Sequence, residues 1–183
     1  MKEHTMDLRA LNVRQFCSQQ QRMAGAWPLA SLRRLSEGLF AEPAATDQVE
    51  WSLQGSQLPS PAGEPELWLH LLAKTSVTLQ CQRCLQAMEQ PLLSDRKFRF
   101  VRSEEEAERL DEMSEVDVLV LSPKLDGLEL LEDELILALP LVPRHEPVCP
   151  NPLPLPVDEL DLEEPAPNPF AALAALRGGG KAN

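Results

Sequence analysis

Residues 76–84 read Ser-Val-Thr-Leu-Gln-Cys-Gln-Arg-Cys, a strand-like run that ends in a Cys-x-x-Cys motif. A tight turn at the end of a strand can aim the thiols of Cys81 and Cys84 at one point, which suits half of a tetrahedral zinc site. The same spacing also suits a thiol/disulfide pair. The motif alone leaves both chemistries open, so the rest of the chain has to decide between them.

Two further candidate ligands, His145 and Cys149, follow near the end of the apolar part of the chain. Together with Cys81 and Cys84 they would make a closed Cys₃His set, which is typical of a structural zinc ion. The alternative is that the thiols stay reduced and the Cys pair serves packing. A thioredoxin-type motif should open a helix in a βαβ context, whereas this one lies between strands, so a thiol oxidoreductase is the third hypothesis for the chain.

Strand signals surround the motif on both sides. The segments are residues 47–58, 67–73, 76–80, 85–93, 96–102 and 117–121, with a short opening strand in residues 6–16. Strands that follow one another across turns indicate an antiparallel sheet. Helical patterns flank this block, so we expect an α+β fold: a curved antiparallel β-sheet or partial barrel packed with two or three helices, plus an extended proline-rich C-terminal tail.

The helical patterns rest on leucine spacing. Residues 123–140 carry the strongest one, with Asp126 as a cap and an apolar stripe that should pack on the sheet. Residues 28–40 repeat leucine at one helical face, and residues 103–110 begin with Ser103 followed by Glu106, as in a capping box. These three segments are the predicted helices.

Composition changes after Leu139. Residues 140–169 contain 10 of the 17 prolines, which cannot sustain a helix or a sheet. We therefore expect a single α+β domain at 1–140, a proline-rich extended segment at 141–167, a short C-terminal docking helix at 168–177 and a disordered end at 178–183. The docking residues predicted by capping and helical spacing are Asn168, Pro169, Phe170, Leu173 and Leu176. The alternative is that this tail folds back onto its own sheet.

The net charge of −12 is unevenly distributed. Residues 1–102 hold 12 Lys and Arg against 10 Asp and Glu, whereas residues 103–183 hold 5 against 19. The acidic half should repel naked nucleic acid and attract a basic protein. A purely solvated face is the alternative.

One basic patch is predicted, and its members are Arg83, Arg96, Lys97, Arg99 and Arg102. The interleaved Phe98 and Phe100 could stack RNA bases beside these cations. The interpretation we favour is that both rings face the core.

Several classes are disfavoured. Residues 1–12 lack the roughly 7–15 apolar residues of a signal peptide, and no segment approaches the roughly 20 that cross a bilayer. Four cysteines do not suggest a disulfide framework. We find no Gly-rich phosphate loop, Ser-centred elbow or metalloprotease His pair. The expectation is a cytoplasmic protein that is not an enzyme and has no membrane partner or small-molecule substrate.

Two stretches, taken in order, resemble one family. They are residues 77–84, with the Cys-x-x-Cys, and residues 126–140, with Glu-Asp-Glu-Leu-Ile-Leu before a terminal Leu-Pro, continuing through Pro143, His145 and Cys149 to Asn168-Pro169-Phe170. The pattern is similar to the YceD family, the bacterial large ribosomal RNA subunit accumulation proteins. Some members carry a second Cys pair near the position of Cys149, whereas here Cys149 stands with His145.

The resemblance implies a non-enzymatic role in making, processing or stabilising 23S ribosomal RNA. The family's gene often neighbours that of a zinc-ribbon large-subunit ribosomal protein, so a basic ribosomal protein or an rRNA maturation factor is the expected partner. The leading hypothesis is thus a ribosome-biogenesis factor that works through protein contacts and reaches rRNA directly or indirectly. The alternative is a direct RNA-binding module that uses the basic strand around Arg96–Arg102.

Overall fold

The computed structural model describes residues 7–60, 63–114 and 116–150. Residues 1–152 form one compact unit, and the second unit, residues 153–183, lies outside the described part. The proline-rich segment beyond Pro150, the docking helix and the end of the chain therefore stay predictions, as do the domain boundaries.

Five strands in the described part of the chain form one open sheet. They are β1 (Arg22–Pro28), β2 (Gln48–Leu58), β3 (Glu66–Gln80), β4 (Ala87–Val101) and β5 (Asp117–Val120), and they lie side by side in that order. The first four pair antiparallel, whereas β5 runs parallel to the end of β4. The predicted α+β class is confirmed, with a mixed sheet that does not close into a barrel.

β3 and β4 are two 15-residue strands that form the central hairpin. Their register runs from Leu67 opposite Phe100 to Gln80 opposite Ala87, so the strand segments predicted separately on each side of the Cys-x-x-Cys merge. Pro91 lies within β4, but β5 pairs with β4 only from Phe98 onward. Because proline is tolerated where no neighbouring strand needs its N–H, β4 continues through it. The hairpin therefore places the Cys motif at its tip.

One face of the sheet builds the core. Strand alternation sends every second side chain of β2, β3 and β4 to this face. Most of these side chains are at most 9% exposed, among them Val49, Leu53, Leu69, Leu71, Leu92, Phe98 and Phe100. Arg96 lies on the same face and stays exposed. Phe98 and Phe100 thus face the core, as we favoured. The opposite face carries polar and charged residues together with Trp68.

Within the described residues, four helices accompany the sheet: α1 (Val13–Ser18), α2 (Arg33–Glu37), α3 (Glu104–Asp111) and α4 (Gly127–Leu137). Asp126 caps α4 by accepting from the N–H groups of Leu128 at 2.9 Å and Glu129 at 3.1 Å. Ser103 caps α3 by accepting from the Glu106 N–H at 3.3 Å. α4 packs on β3 and β4, as its apolar stripe predicted. In the described part of the chain, no helix has the length and apolar character to cross a membrane.

The predicted continuous helix at residues 28–40 was wrong. A 3₁₀ turn, Leu29–Ser31, is separated from α2 by Leu32, whose φ of −87° and ψ of 84° are not helical. The break leaves the Leu35 N–H free to donate to the Glu132 carboxylate of α4 at 3.2 Å, and Leu29, Leu32 and Leu35 are each only 1% exposed. A long-range contact thus replaces one helical turn.

The opening strand predicted at residues 6–16 was also wrong. This part contains a 3₁₀ turn, Leu8–Ala10, followed by α1, which Asn12 caps by accepting from the Gln15 N–H at 3.0 Å. Phe16 and Cys17 of α1 lie directly against the Gly55 backbone, where a Cβ would come within 2.9 Å of both residues. The first strand is instead β1, which the sequence patterns missed.

Candidate metal centre and charged surfaces

The tip of the β3–β4 hairpin is a tight turn around the Cys-x-x-Cys. The Cys81 N–H donates to the Gln86 carbonyl at 2.9 Å, and the Leu85 N–H donates back to the Cys81 carbonyl at 2.8 Å. Leu85 has a φ of +60°, a left-handed conformation that a side-chain-bearing residue adopts only when its surroundings enforce it. The turn buries the Cys81 and Cys84 side chains at 0% and 1% exposure.

The segment after α4 docks against this tip. The Gln82 N–H donates to the Pro143 carbonyl at 2.8 Å, which places His145 and Cys149 beside the Cys pair. The Cys81 Sγ lies 3.6 Å from the Cys149 Sγ, and the Cys84 Sγ lies 3.4 Å from the His145 Nδ1. The four candidate ligands that spacing singled out are therefore brought together, and all four ligand atoms lie within 4.8 Å of one another.

These distances fit a single tetrahedral ion. Bond lengths of about 2.3 Å to sulfur and about 2.0 Å to nitrogen place two sulfurs about 3.8 Å apart, and a sulfur and a nitrogen about 3.5 Å apart. The observed separations of 3.6 Å and 3.4 Å lie close to both values. Four protein ligands would fill such a shell and leave no position for water, so the arrangement suits a structural rather than a catalytic ion.

Arg83, the residue within the Cys-x-x-Cys, takes part in the cluster. Its Nε donates to the Cys149 Sγ at 2.9 Å and its terminal nitrogen donates to the His145 carbonyl at 3.0 Å. The bond to Cys149 raises the pKa of Arg83. Three thiolates around one divalent cation would carry a net charge of −1, which this guanidinium would offset. The sequence places Arg83 in the predicted basic patch as a possible RNA contact, and its position between two thiols is the signal for this further contact.

The thiols differ in acidity because their surroundings differ. Burial raises the pKa of Cys81, but hydrogen bonds from the backbone N–H groups of Arg83, Cys84 and His145 outweigh it and lower the pKa to about 5. Burial raises the pKa of Cys84. Cys81 is thus already suited to the thiolate form that binds a metal.

His70 and Cys17, which carry the same kinds of ligand atom, lie away from the cluster. His70 is a sheet residue whose Nε2 lies 2.6 Å from an Asp95 carboxylate oxygen. Cys17 is buried and its thiol contacts the Trp68 carbonyl at 3.1 Å.

Burial of Cys81 and Cys84 is unfavourable for an oxidoreductase, whose reactive thiol needs access to its substrate.

The five cations of the predicted basic patch do not share one surface. Arg83 lies at the hairpin tip, about 12 strand residues and thus roughly 40 Å from Arg99. Alternation along β4 sends the Arg96 side chain toward α4. It pairs there with Glu134 of α4 at 3.5 Å and with Asp117 of β5 at 2.7 Å. Lys97 and Arg99 point to the opposite face of the sheet.

Ion pairs already occupy most of these cations. Arg99 pairs with Glu66 at 2.8 Å, and Arg102 pairs with Glu64. Within residues 7–60, 63–114 and 116–150, Lys97 alone of the five makes no ion pair or contact with the thiol cluster. The assignment of this strand to RNA stays a prediction.

The acidic residues of α3 behave differently. The exposed carboxylates of α3, and that of Glu112 just after it, form no ion pair with any described residue. They belong to Glu104, Glu105, Glu108, Asp111 and Glu112. By contrast, Glu132 and Asp133 of α4 are bound by Arg34 at 3.1 Å and 2.6 Å. The free anionic charge of the described chain is thus concentrated on α3.

A comparison with known protein families matches the part of the chain that contains the candidate metal ligands. The family model described as Large ribosomal RNA subunit accumulation protein YceD matches residues 69–177, more than half of the chain. The chain belongs to the YceD family. This YceD match includes the hairpin tip, α4 and all four candidate metal ligands. The description of YceD names RNA accumulation and no reaction.

A curated relative supports the same assignment. The Large ribosomal RNA subunit accumulation protein YceD of Haemophilus influenzae is 38% identical over 104 residues, which is 55% of this chain and 60% of the relative. The match therefore spans about 60% of the relative's length. No solved structure matches the chain significantly.

Proposed function

We propose that this YceD-family chain is a non-enzymatic ribosome-biogenesis factor for the synthesis, processing or stability of 23S rRNA in the large subunit. It would act in the cytoplasm through contacts with basic ribosomal proteins or maturation factors. The observation that carries this proposal is the exposed carboxylates of α3, which no described cation neutralises. A surface of one sign attracts and orients a partner of the opposite sign.

The ion pairs that Arg96, Arg99 and Arg102 form with carboxylates favour protein contacts over the alternative, direct RNA binding through Arg96–Arg102. Arg96, Arg99 and Arg102 would each have to leave a carboxylate before binding a phosphate. Phe98 and Phe100 are 2% and 6% exposed, so neither ring could stack on a base. The basic strand would thus contribute little more than Lys97.

A capture experiment tests the proposal. The tagged chain should recover basic large-subunit proteins, maturation factors or pre-ribosomal particles from lysate. A triple variant of α3, Glu104→Gln, Glu105→Gln and Glu108→Gln, should lose most of them. A matched control with the same change in net charge, Glu37→Gln, Glu42→Gln and Glu89→Gln, should retain them. Recovery of none of these partners by the unmodified chain, or equal recovery by both variants, would refute the proposal.

We also infer that Cys81, Cys84, His145 and Cys149 hold one structural Zn²⁺. The ion would join the hairpin tip to the segment after α4 and so maintain the scaffold that presents α3 and the C-terminal residues. Docking by Asn168, Pro169, Phe170, Leu173 and Leu176 remains part of this proposal, although they lie outside the described residues. Its support is the spacing of the ligand atoms and their burial.

Elemental analysis of the purified protein tests the metal. We expect one zinc per chain, absent from Cys84→Ser and retained in Cys17→Ser, whose thiol is equally buried but outside the cluster. Zinc retained at full stoichiometry by Cys84→Ser, or none in the unmodified protein purified without chelator, would contradict the assignment.

A further inference from the structure

The face of the sheet opposite the core carries a row of side chains that the sequence patterns did not single out. Ser56 of β2, Trp68 of β3 and Arg99 of β4 lie opposite one another in register. The next row consists of Gln54, His70 and Lys97. Both rows point away from the helices, because the alternate residues of these strands form the core.

All members of these two rows except Arg99 line a cavity of about 440 Å³. Its walls include the Trp68 and Leu58 side chains, with Gln54, Ser56, His70 and Lys97 around them. Among the described lining residues, Lys97 carries the only fixed charge, and no carboxylate lines the cavity. An aromatic wall, amide and hydroxyl groups, and one cation form a site for a flat polar heterocycle joined to an anionic group.

Neighbouring carboxylates hold the rings in place without entering the cavity. The Trp68 Nε1 donates to one oxygen of Glu66 at 3.1 Å, and Arg99 binds the other oxygen at 2.8 Å. The His70 Nε2 lies 2.6 Å from Asp95. The hydrogen bond of its N–H already fixes the Trp68 side chain. A ligand that stacks on this ring therefore loses little free energy in ordering the side chain.

We propose that this cavity binds an unstacked base of single-stranded RNA, with the base on the Trp68 ring and Lys97 on an adjacent phosphate. Trp68 is partly exposed on this face. Stacking on an aromatic side chain at the surface of a sheet is a common way for proteins to hold single-stranded RNA. The site goes beyond the proposed protein contacts of α3 and would give the factor its own hold on rRNA. It also differs from the basic strand considered above, since Trp68 and not Phe98 or Phe100 supplies the ring.

The chemistry of the lining argues against protein partners at this site. A basic peptide would meet Lys97 and find no carboxylate in the described lining. An acidic peptide could form an ion pair with Lys97, but its carboxylates would make no favourable contact with the Trp68 ring.

Fluorescence anisotropy with labelled single-stranded oligouridylate and oligoadenylate of about 12 nucleotides tests the site, since this length spans one binding groove. Measured at about 50 mM salt, Trp68→Leu should bind roughly 5- to 100-fold more weakly, the range that loss of one stacked base produces. Trp68→Phe should retain most of the affinity. Lys97→Gln should bind more weakly, with a salt slope smaller by about 0.7, the value of one single-strand phosphate contact.

Lys74→Gln is the matched control, since Lys74 lies on the same face of β3, six residues or roughly 20 Å from Trp68. It should bind as the unmodified protein does. Circular dichroism confirms folding, and Lys97→Gln decides the matter if Trp68→Leu does not fold, because Lys97 is exposed.

Three results would overturn the site: no binding of either oligonucleotide by the unmodified protein, unchanged affinity of Trp68→Leu, or equal affinity for duplex RNA. The capture experiment on α3 is independent of all three, so failure of this site leaves the proposed protein contacts standing.

Discussion

Removing zinc should lower the thermal stability of this protein by an amount that the chain topology sets. The ion would link Cys84 to His145, which are 61 positions apart in sequence. In the chain-entropy treatment, a cross-link that closes a loop of that length raises the free energy of unfolding by about 4 kcal/mol. For a chain of this size, each kcal/mol shifts the unfolding midpoint by about 2–4 °C. The zinc-loaded protein should therefore unfold about 8–16 °C above the chelated protein.

The assay is thermal unfolding followed by circular dichroism, in a reductant that keeps disulfides from forming. Each sample is measured with stoichiometric zinc and again with a chelator. Cys149→Ser should unfold at nearly the same temperature in both conditions, whereas Cys17→Ser should keep the difference even if its own midpoint moves. A difference below about 2 °C in the unmodified protein would mean that the four ligand atoms do not close this loop through a metal.

Three further changes test the contacts that hold the scaffold. Glu132→Ala should reduce the free energy of unfolding by about 2 kcal/mol in urea titrations, because the buried Leu35 N–H loses its acceptor. Gly55→Ala should cost about 1–3 kcal/mol in the same assay, since its Cβ would lie 2.7 Å from the Phe16 ring. Burial raises the pKa of Glu134, so the free energy of unfolding falls as the pH rises from the ordinary pKa of a glutamate through the raised one. Over that rise, Glu134→Gln should gain stability relative to the unmodified protein.

Each of these predictions has a clear opposing result. Glu129→Ala removes an exposed carboxylate from the same helix, so a loss equal to that of Glu132→Ala would show that the Leu35 contact is unimportant. A Gly55→Ala protein as stable as the unmodified one would mean that α1 can move away from β2. If the difference between Glu134→Gln and the unmodified protein stays constant with pH, burial of this carboxyl is not what limits its ionisation.

Local patterns were sufficient for much of this protein. Alternation along residues 47–58 predicted β2, and the Asp126 cap with its apolar stripe predicted α4 within a few residues of its bounds. The ligand spacing selected the four residues whose side chains meet at the hairpin tip. The strand and helix inferences depend on neighbours only a few positions apart, where strand period, helix period and capping act. The ligand inference depends on two local pairs, which the fold brings together across the 61 positions between Cys84 and His145.

Tertiary contacts decided the rest. Glu132 reaches across 97 positions to Leu35 and splits the predicted helix, and Arg96 turns from a surface cation into a partner of Glu134. The parallel pairing of β5 and the outward position of Trp68 likewise depend on which strand lies beside which. Such contacts join groups far apart along the chain, and their energies depend on burial and distance, so no short pattern contains them.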